Sequence, residues 1–478
     1  MHLDARFESW LQSRLDRDFP TPEGRHYRIL TVPLPDDLVL EVGGVDLLPD
    51  GRPIVCTRRG ELWIVHDAYA EPPLDARLTL FASGLHEPLG LVVRQEGGRT
   101  AVYCAQRPEL TRLLDTDGDD RADVYECFCD AWGISGNYHE FAYGPKFDSE
   151  GNAWITLNVG FDGMTPLSEA PYRGWCVKIT PAGDMIPVCS GLRSPNGLGF
   201  LPDGSAFFLD NQGDWVGTNK LAQLIPGSWQ GNPASLRWRE GWKKGDPAPE
   251  RTDAAVWFPY KKMGQSPADF LLDDTGGRFG PFTGQVFTGD MTLCTVMRVF
   301  LESVDGTWQG ACFPFLENFE SGPNRLAFAA DGSMFVGMTD RGWGSTGAKR
   351  YGLQRVVYTG VTPFEVLEMR VVPDGFQLEF TQDLDSAAAA DLASYRMLSY
   401  TYAYHSDYGS PEIDSAEQKI TKAAVTGPRG VHLTIESLKP GFVHELHLPG
   451  VKRADGAPLL HPVAYYTLQK IPGGASGR

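Results

Sequence analysis

One phrase recurs six times along this chain and constrains its fold more than any other feature. Each copy opens with a loop rich in Gly, Pro or Asn and enters a short apolar strand. It then turns on an acidic-Gly pair or its equivalent and leaves on a second apolar strand. The copies read EVGGVDLLPDGRPIVCTRRGELWIV (41–65), GLHEPLGLVVRQEGGRTAVYCAQRPELTRL (84–113), GNYHEFAYGPKFDSEGNAWITLNVG (136–160), GLRSPNGLGFLPDGSAFFLDNQGDW (191–215), GQSPADFLLDDTGGRFGPFTGQVFTGDM (264–291) and GPNRLAFAADGSMFVGMTDRGWG (322–344). A period of about 50 residues, built on Asp-Gly hairpins, fits the blades of a propeller better than the turns of a solenoid. Further strand material in GWCVKIT (174–180), TVMRVFLE (295–302) and LQRVVYTG (353–360) supplies the outer strands.

The sequence therefore predicts an all-β protein, a six-bladed β-propeller over residues 27–360. Its 478 residues exceed what one apolar core organises, so a second unit is expected. After residue 360 the repeats stop, and strands such as FQLEFT (376–381) and VHLTIE (431–436) alternate like a half-buried antiparallel sheet. Residues 361–472 read as a small Ig-like β-sandwich, and 473–478 as a flexible tail. In the N-terminal extension, residues 1–26, Phe7, Trp10, Leu11 and Leu15 recur at helical spacing and predict a short amphipathic helix over 5–16.

A formal charge of −18, from 61 acidic against 43 basic side chains, argues against nucleic acid and anionic membrane surfaces, which need a basic face. Neutral or cationic ligands and divalent cations remain open. No apolar run is long enough to span a bilayer. Met1 leads directly into a polar stretch, so the expectation is a cytoplasmic protein, or a periplasmic or secreted one whose leader has been removed. The eight cysteines show no metal-binding spacing and read as scattered core thiols, with a few disulfides as the alternative in an exported protein.

In a propeller, the loops entering each first strand and leaving each second strand gather at one mouth, where ligands bind. Aligning the first set brings Val45-Asp46, Leu89-Gly90, His139-Glu140, Asn196-Gly197, Ala268-Asp269 and Asn324-Arg325 to one position. Aligning the second brings together Arg58-Arg59, Gln106-Arg107, Asn158, Asp210-Asn211, Asp290 and Asp340-Arg341. The two sets describe a polar well suited to a sugar, a cofactor or a metal ion. His139 stands out as the axial imidazole beside Glu140, because imidazole abstracts protons near neutral pH. Trp132, Tyr138, Trp215, Trp229, Trp257 and Trp343 fall near the mouth loops and offer flat faces for sugar rings, or core packing between blades.

A separate constellation is LDTDGDDRADVYE (114–126), in which Asp115, Asp117, Asp119, Asp123 and Glu126 take relative positions 1, 3, 5, 9 and 12 of a calcium loop. Gly118 comes two residues before the expected glycine, whose place Asp120 takes. The chain contains no dinucleotide fingerprint, Walker loop, nucleophile elbow or HExxH motif.

At GNYHEFAYGPKFDSEGNAWITLNVG and GLRSPNGLGFLPDGSAFFLDNQGD the sequence resembles the soluble quinoprotein glucose/sorbosone dehydrogenase superfamily, six-bladed propellers that carry pyrroloquinoline quinone (PQQ) over a calcium-supported pocket. The whole chain looks still more like uncharacterised propeller proteins of planctomycete-type bacteria. The resemblance implies a sugar or alcohol dehydrogenase in which His139 is the general base and Arg193 contacts the quinone, with Arg325 and Arg341 in the place of late-blade arginines. The family's Arg-Asn pair is Arg193-Ser194 here, and its quinone-binding Lys has no counterpart in FTGDMTLCTVMRV (287–299).

The stretch SPNGLGFLPDGSAFFLDN (194–211) also resembles the gluconolactonase/regucalcin family. That resemblance implies a divalent metal at the axis, held by Asn196 with Glu140, Asp269 or Asp290, and lactone hydrolysis. The N-terminal Glu motif of that family is absent. A carbohydrate lyase and a non-catalytic glycan- or protein-binding propeller complete the alternatives. The enzymatic readings imply a small-molecule or oligosaccharide substrate at the mouth.

Overall fold

The computed structural model describes residues 21–473 except 163–164, 167–168 and 343. The helix expected over 5–16, Trp343 and nearly all of the 473–478 tail lie outside the described residues.

Five four-stranded antiparallel sheets and the inner half of an eight-stranded one make up the propeller. The units span 42–82, 91–129, 142–190, 198–258, 267–316 and 323–358. Their innermost strands, Val42–Leu47, Leu91–Glu96, Ala142–Phe147, Leu198–Phe200, Pro267–Leu272 and Pro323–Phe328, meet in that order, and the last meets the first. The outermost strand of the last unit is Tyr27–Thr31, which pairs antiparallel with Tyr351–Tyr358. One end of the propeller chain thus closes onto the other, so the ring has no open seam where it begins and ends.

Alternation within each strand sends apolar side chains between neighbouring sheets. Phe207, Phe258, Phe270 and Met297 fill one such gap, and Phe279, Phe287, Phe315 and Val336 another. Near the axis the backbones crowd together. A Cβ at Gly90 would lie 2.0 Å from the Gly144 carbonyl oxygen, so only glycine fits there. The eight cysteines are all free thiols, with Cys127 alone exposed. No described helix is long and apolar enough to cross a membrane.

Residues 361–472, expected as a separate sandwich, form two four-stranded layers, one of them hydrogen-bonded to the propeller. Val463–Leu468 pairs with the outer strand of the fifth unit, Thr307–Leu316, through Gly310–Thr467, Ala311–Tyr466 and Cys312–Tyr465. The sheet then continues outward through Phe442–His447, Arg396–Tyr402 and Glu412–Gln418. The second layer is Val366–Val372, Gly375–Phe380, Gly430–Ile435 and Ile420–Gly427. Met369, Phe376, Leu378, Leu433 and Tyr466 pack with Phe300 and Phe313 of the fifth unit into one core.

Candidate functional site

The mouth pocket is a small cavity of about 70 Å³ that opens to solvent. Arg58, His139, Arg193, Asn196, Asn211, Asn324 and Arg341 line it, together with Tyr138, Phe141, Tyr143 and Tyr408. Three guanidinium groups and an imidazole face this space, and no carboxylate does. Each of the three guanidiniums is paired behind the wall with a carboxylate, so what the pocket presents to a ligand is a set of hydrogen-bond donors.

The arginines are held from behind. Glu87, almost wholly buried, accepts from Arg58 at 2.7 Å and from Arg107 at 2.9 Å. Burial alone would raise the Glu87 pKa, but the Arg58 and Arg107 charges outweigh it and hold the carboxyl below its ordinary value. Glu41 accepts from Arg341 at 3.0 Å, and Asp214 from the Arg193 Nε at 2.8 Å. Arg107 does not itself line the pocket. It donates to the Asn137 carbonyl at 2.6 Å and so ties the second unit to the loop that carries His139. A guanidinium has five N–H groups, and these contacts leave donors of Arg341 for a ligand.

The His139 loop is set by its neighbours. Asn137 Oδ1 accepts the His139 N–H at 3.0 Å in an Asx turn. Glu140, fully buried, accepts the Ser135 N–H at 2.6 Å and the Ser135 hydroxyl at 2.5 Å. Glu140 is therefore turned away from the pocket and braces the loop from below, leaving the half-buried His139 ring on the pocket wall.

Beneath the pocket, Arg325 spans the axis. Its guanidinium donates to Asn196 Oδ1 at 2.7 Å, to the Asn324 carbonyl at 2.6 Å and to the Leu89 carbonyl at 2.8 Å. Asn196 Nδ2 donates to Asn324 Oδ1 at 3.1 Å, and Asn324 Nδ2 to the Val42 carbonyl at 2.8 Å. Arg325 is thus part of a polar floor and does not stand among the pocket walls. Burial lowers its pKa below the usual arginine value.

Several aligned residues serve the backbone instead of the pocket. Asp290 accepts N–H bonds from Gln265, Ser266, Thr292 and Leu293, and Asp210 accepts them from Arg193 and Ser194. Burial raises both carboxyls above the ordinary aspartate range despite those donors. Asp269 accepts from the Phe270 and Leu326 N–H groups, Asn158 donates to the Val159 carbonyl, and Asp340 pairs with Arg350 at the rim. Asp210 and Asp290 thus hold the loops at the mouth of their own units, and Asp269 ties the fifth unit to the sixth through the Leu326 N–H. Among the aromatics, Trp132 and Trp229 are buried, and Trp132 donates to the Arg107 carbonyl.

The donor set does not suit a divalent ion at the axis. Asp269, Asp290 and Glu140 each spend both oxygens on N–H or O–H donors, and the pocket wall offers amides and guanidiniums. The wall better suits an organic ligand that carries both donors and acceptors, since the buried donor Arg58 Nε and the buried acceptor Asn211 Oδ1 both have no partner in the protein.

In the acidic loop, Asp115, Asp117 and Asp123 bring their oxygens within 4.8 Å of one another. Asp119 caps the Arg121 N–H, and Glu126 is drawn off by Arg112 at 2.9 Å. Asp120 binds Arg52 and stands apart from the cluster.

The sequence matches no protein-family model and no curated protein. Among solved structures, it is similar to the putative oxidoreductase (glucose dehydrogenase) of Thermus thermophilus, with a TM-score of 0.52 and 17% identity over 69% of this chain and 100% of that one. A glucose dehydrogenase structure gives a TM-score of 0.51 at 14% identity, over 70% of this chain and 99% of that one. The PQQ-bound aldose sugar dehydrogenase of Streptomyces coelicolor scores 0.49 at 15% identity, over 69% and 98%. The likeness is one of fold. It joins this chain to propellers, and about a third of the chain has no counterpart in them.

Sequence reasoning missed Glu41, Glu87, Asp214 and Tyr408. Glu87 was within reach, because it lies between two arginine-bearing loops in the copy GLHEPLG (84–90), one turn before the aligned column.

Proposed function

We propose that this protein is a sugar-oxidising propeller enzyme whose mouth pocket holds an anionic quinone cofactor of the PQQ type beside a sugar hydroxyl. The observation that carries the reading is the pocket wall itself, where Arg58, Arg193, Arg341 and His139 converge without a carboxylate. Arg193 and Arg341 would hold the carboxylates of the cofactor, and Asn211 would bond its edge. When bound, an orthoquinone supplies the acceptor for the hydride leaving the sugar C–H. His139 would take the hydroxyl proton while the C–H hydrogen leaves with its electron pair, so that the alcohol carbon becomes a carbonyl. Phe141, Tyr143 and Tyr408 give the wall an apolar part against which a ring can lie.

Adding PQQ and calcium to the purified chain is expected to give a retained quinone absorption band and aldose-dependent bleaching of an artificial electron acceptor. No band and no turnover on aldoses would defeat this reading. A lactonase has less support, because its metal ligands are committed to the backbone.

Calcium is proposed as a brace in the loop of Asp115, Asp117 and Asp123, whose carboxylates lie close together although Asp115 and Asp123 also accept hydrogen bonds from Gly118, Asp120 and Thr116. Chelation is expected to lower the melting temperature by several degrees, and added calcium to restore it. An unchanged melt would mean that the loop binds no ion.

A further inference from the structure

We infer that the C-terminal part of the chain completes this site, and that Tyr408, Tyr404 and Trp215 form an aromatic shelf on which a second sugar ring stacks. The substrate class is then an oligosaccharide. The inference rests on the proposed sugar-binding role of the pocket.

The loop between Arg396–Tyr402 and Glu412–Gln418 leaves its own layer and crosses to the fourth propeller unit. There it is pinned by backbone bonds. Gly409 N–H donates to the Gly213 carbonyl at 3.0 Å, Ser410 N–H to Gly217 at 2.7 Å, and Trp215 N–H to His405 at 2.9 Å. The Tyr404 hydroxyl donates to the Gly231 carbonyl at 2.6 Å, and the Arg251 guanidinium lies 4.5 Å from the Tyr404 ring centre. The propeller makes room for the loop, since a Cβ at Gly217 would lie 2.8 Å from Tyr402.

Tyr408 lines the pocket, and its ring centre lies 5.3 Å from the Arg193 guanidinium. A Cβ at Gly213 would fall 1.9 Å from Arg193 Cζ, so the Gly213 backbone and the Tyr408 ring together fix where Arg193 sits. In the same loop contact, the Trp215 and Tyr404 rings lie 5.1 Å apart, tilted by 48° to one another. Tyr404 and Tyr408 are each 37% exposed, so part of each ring faces solvent. Trp215 holds φ at +64°, a left-handed conformation that a bulky side chain adopts only when its surroundings impose it. A pyranose presents a C–H face to such rings and its hydroxyls to their polar edges.

The test is a titration of the full chain with glucose, cellobiose and cellotriose, followed by intrinsic tryptophan fluorescence, which needs neither quinone nor turnover. Cellotriose is expected to bind at least about tenfold tighter than glucose. Tyr404→Ala should bring the two within about threefold, while Tyr404→Phe, which keeps the ring and loses only the bond to Gly231, should preserve the difference. If Tyr404→Ala does not fold, Tyr408→Leu carries the test, and must lose at least about fivefold in cellobiose affinity. Equal affinities in the native chain, or an advantage that survives loss of the flat face, would overturn the shelf. Length-dependent binding without dehydrogenase activity would keep the shelf and remove the quinone reading. Activity without length dependence would do the reverse.

Discussion

His139→Asn is expected to lower kcat on an aldose by roughly 10²–10⁴-fold, the range for removing a positioned general base, while PQQ uptake changes little. The selectivity of that loss follows from the geometry. The ring stands on the wall beside Tyr138 and Phe141, but the loop beneath it is held by Asn137, Glu140 and Ser135 through bonds that do not involve the imidazole. Asparagine therefore removes the proton acceptor and leaves the arginines where Glu87, Glu41 and Asp214 hold them. Single-turnover reduction of bound quinone, measured beside the steady state, separates the two effects. A kcat within about tenfold of the native value would assign the proton to another group. A matched loss of quinone binding would show that His139 is a structural part of the pocket.

The propeller was legible because its signal is repeated. Six loop–strand–turn phrases reinforce one another, and an error in any one is corrected by the other five. The mouth was legible as a region, since His139, Arg193, Asn196 and Arg341 all stand on loops that the repeat places together. The direction of each side chain was not. Asp210 and Asp290 occupy the same column as Asn211 and Arg341 to within one residue, and one residue decides whether a side chain faces the axis or the loops of its own unit. A strand-end carboxylate there meets unpaired N–H groups of those loops and turns towards them, as the four donors to Asp290 show. Glu140 does the same with Ser135. Tyr408 lies outside the repeats, so no alignment of copies reaches it. Its only mark in the sequence is the cluster YAYHSDYG (402–409), three tyrosines in a loop that a purely structural connection would not require.

The contribution of the C-terminal layers to the pocket depends on how firmly they are held, and Arg298 is the pin. It is fully buried, with its guanidinium 4.2 Å from the ring centres of both Phe282 and Phe313. It donates to the Val366 carbonyl at 2.7 Å, to the Leu367 carbonyl at 3.2 Å and to Gln285 Oε1 at 2.7 Å. Burial lowers its pKa to about 10, so it stays charged at neutral pH and those bonds remain charge-assisted. Arg298→Ala would leave buried acceptors without donors and open a void between two aromatic rings, at a cost on the order of 3–5 kcal/mol. Arg298→Met fills more of the void but supplies no donor, and should fall between. Chemical denaturation read at the tryptophans checks the order, and limited proteolysis reports whether the linker near residue 360 opens first. Because Tyr408 stands on a loop whose two ends belong to these layers, the alanine variant should also lose quinone or sugar affinity at temperatures where the propeller is still folded. Full affinity in a destabilised variant would mean that the 403–410 loop is held by the fourth unit alone.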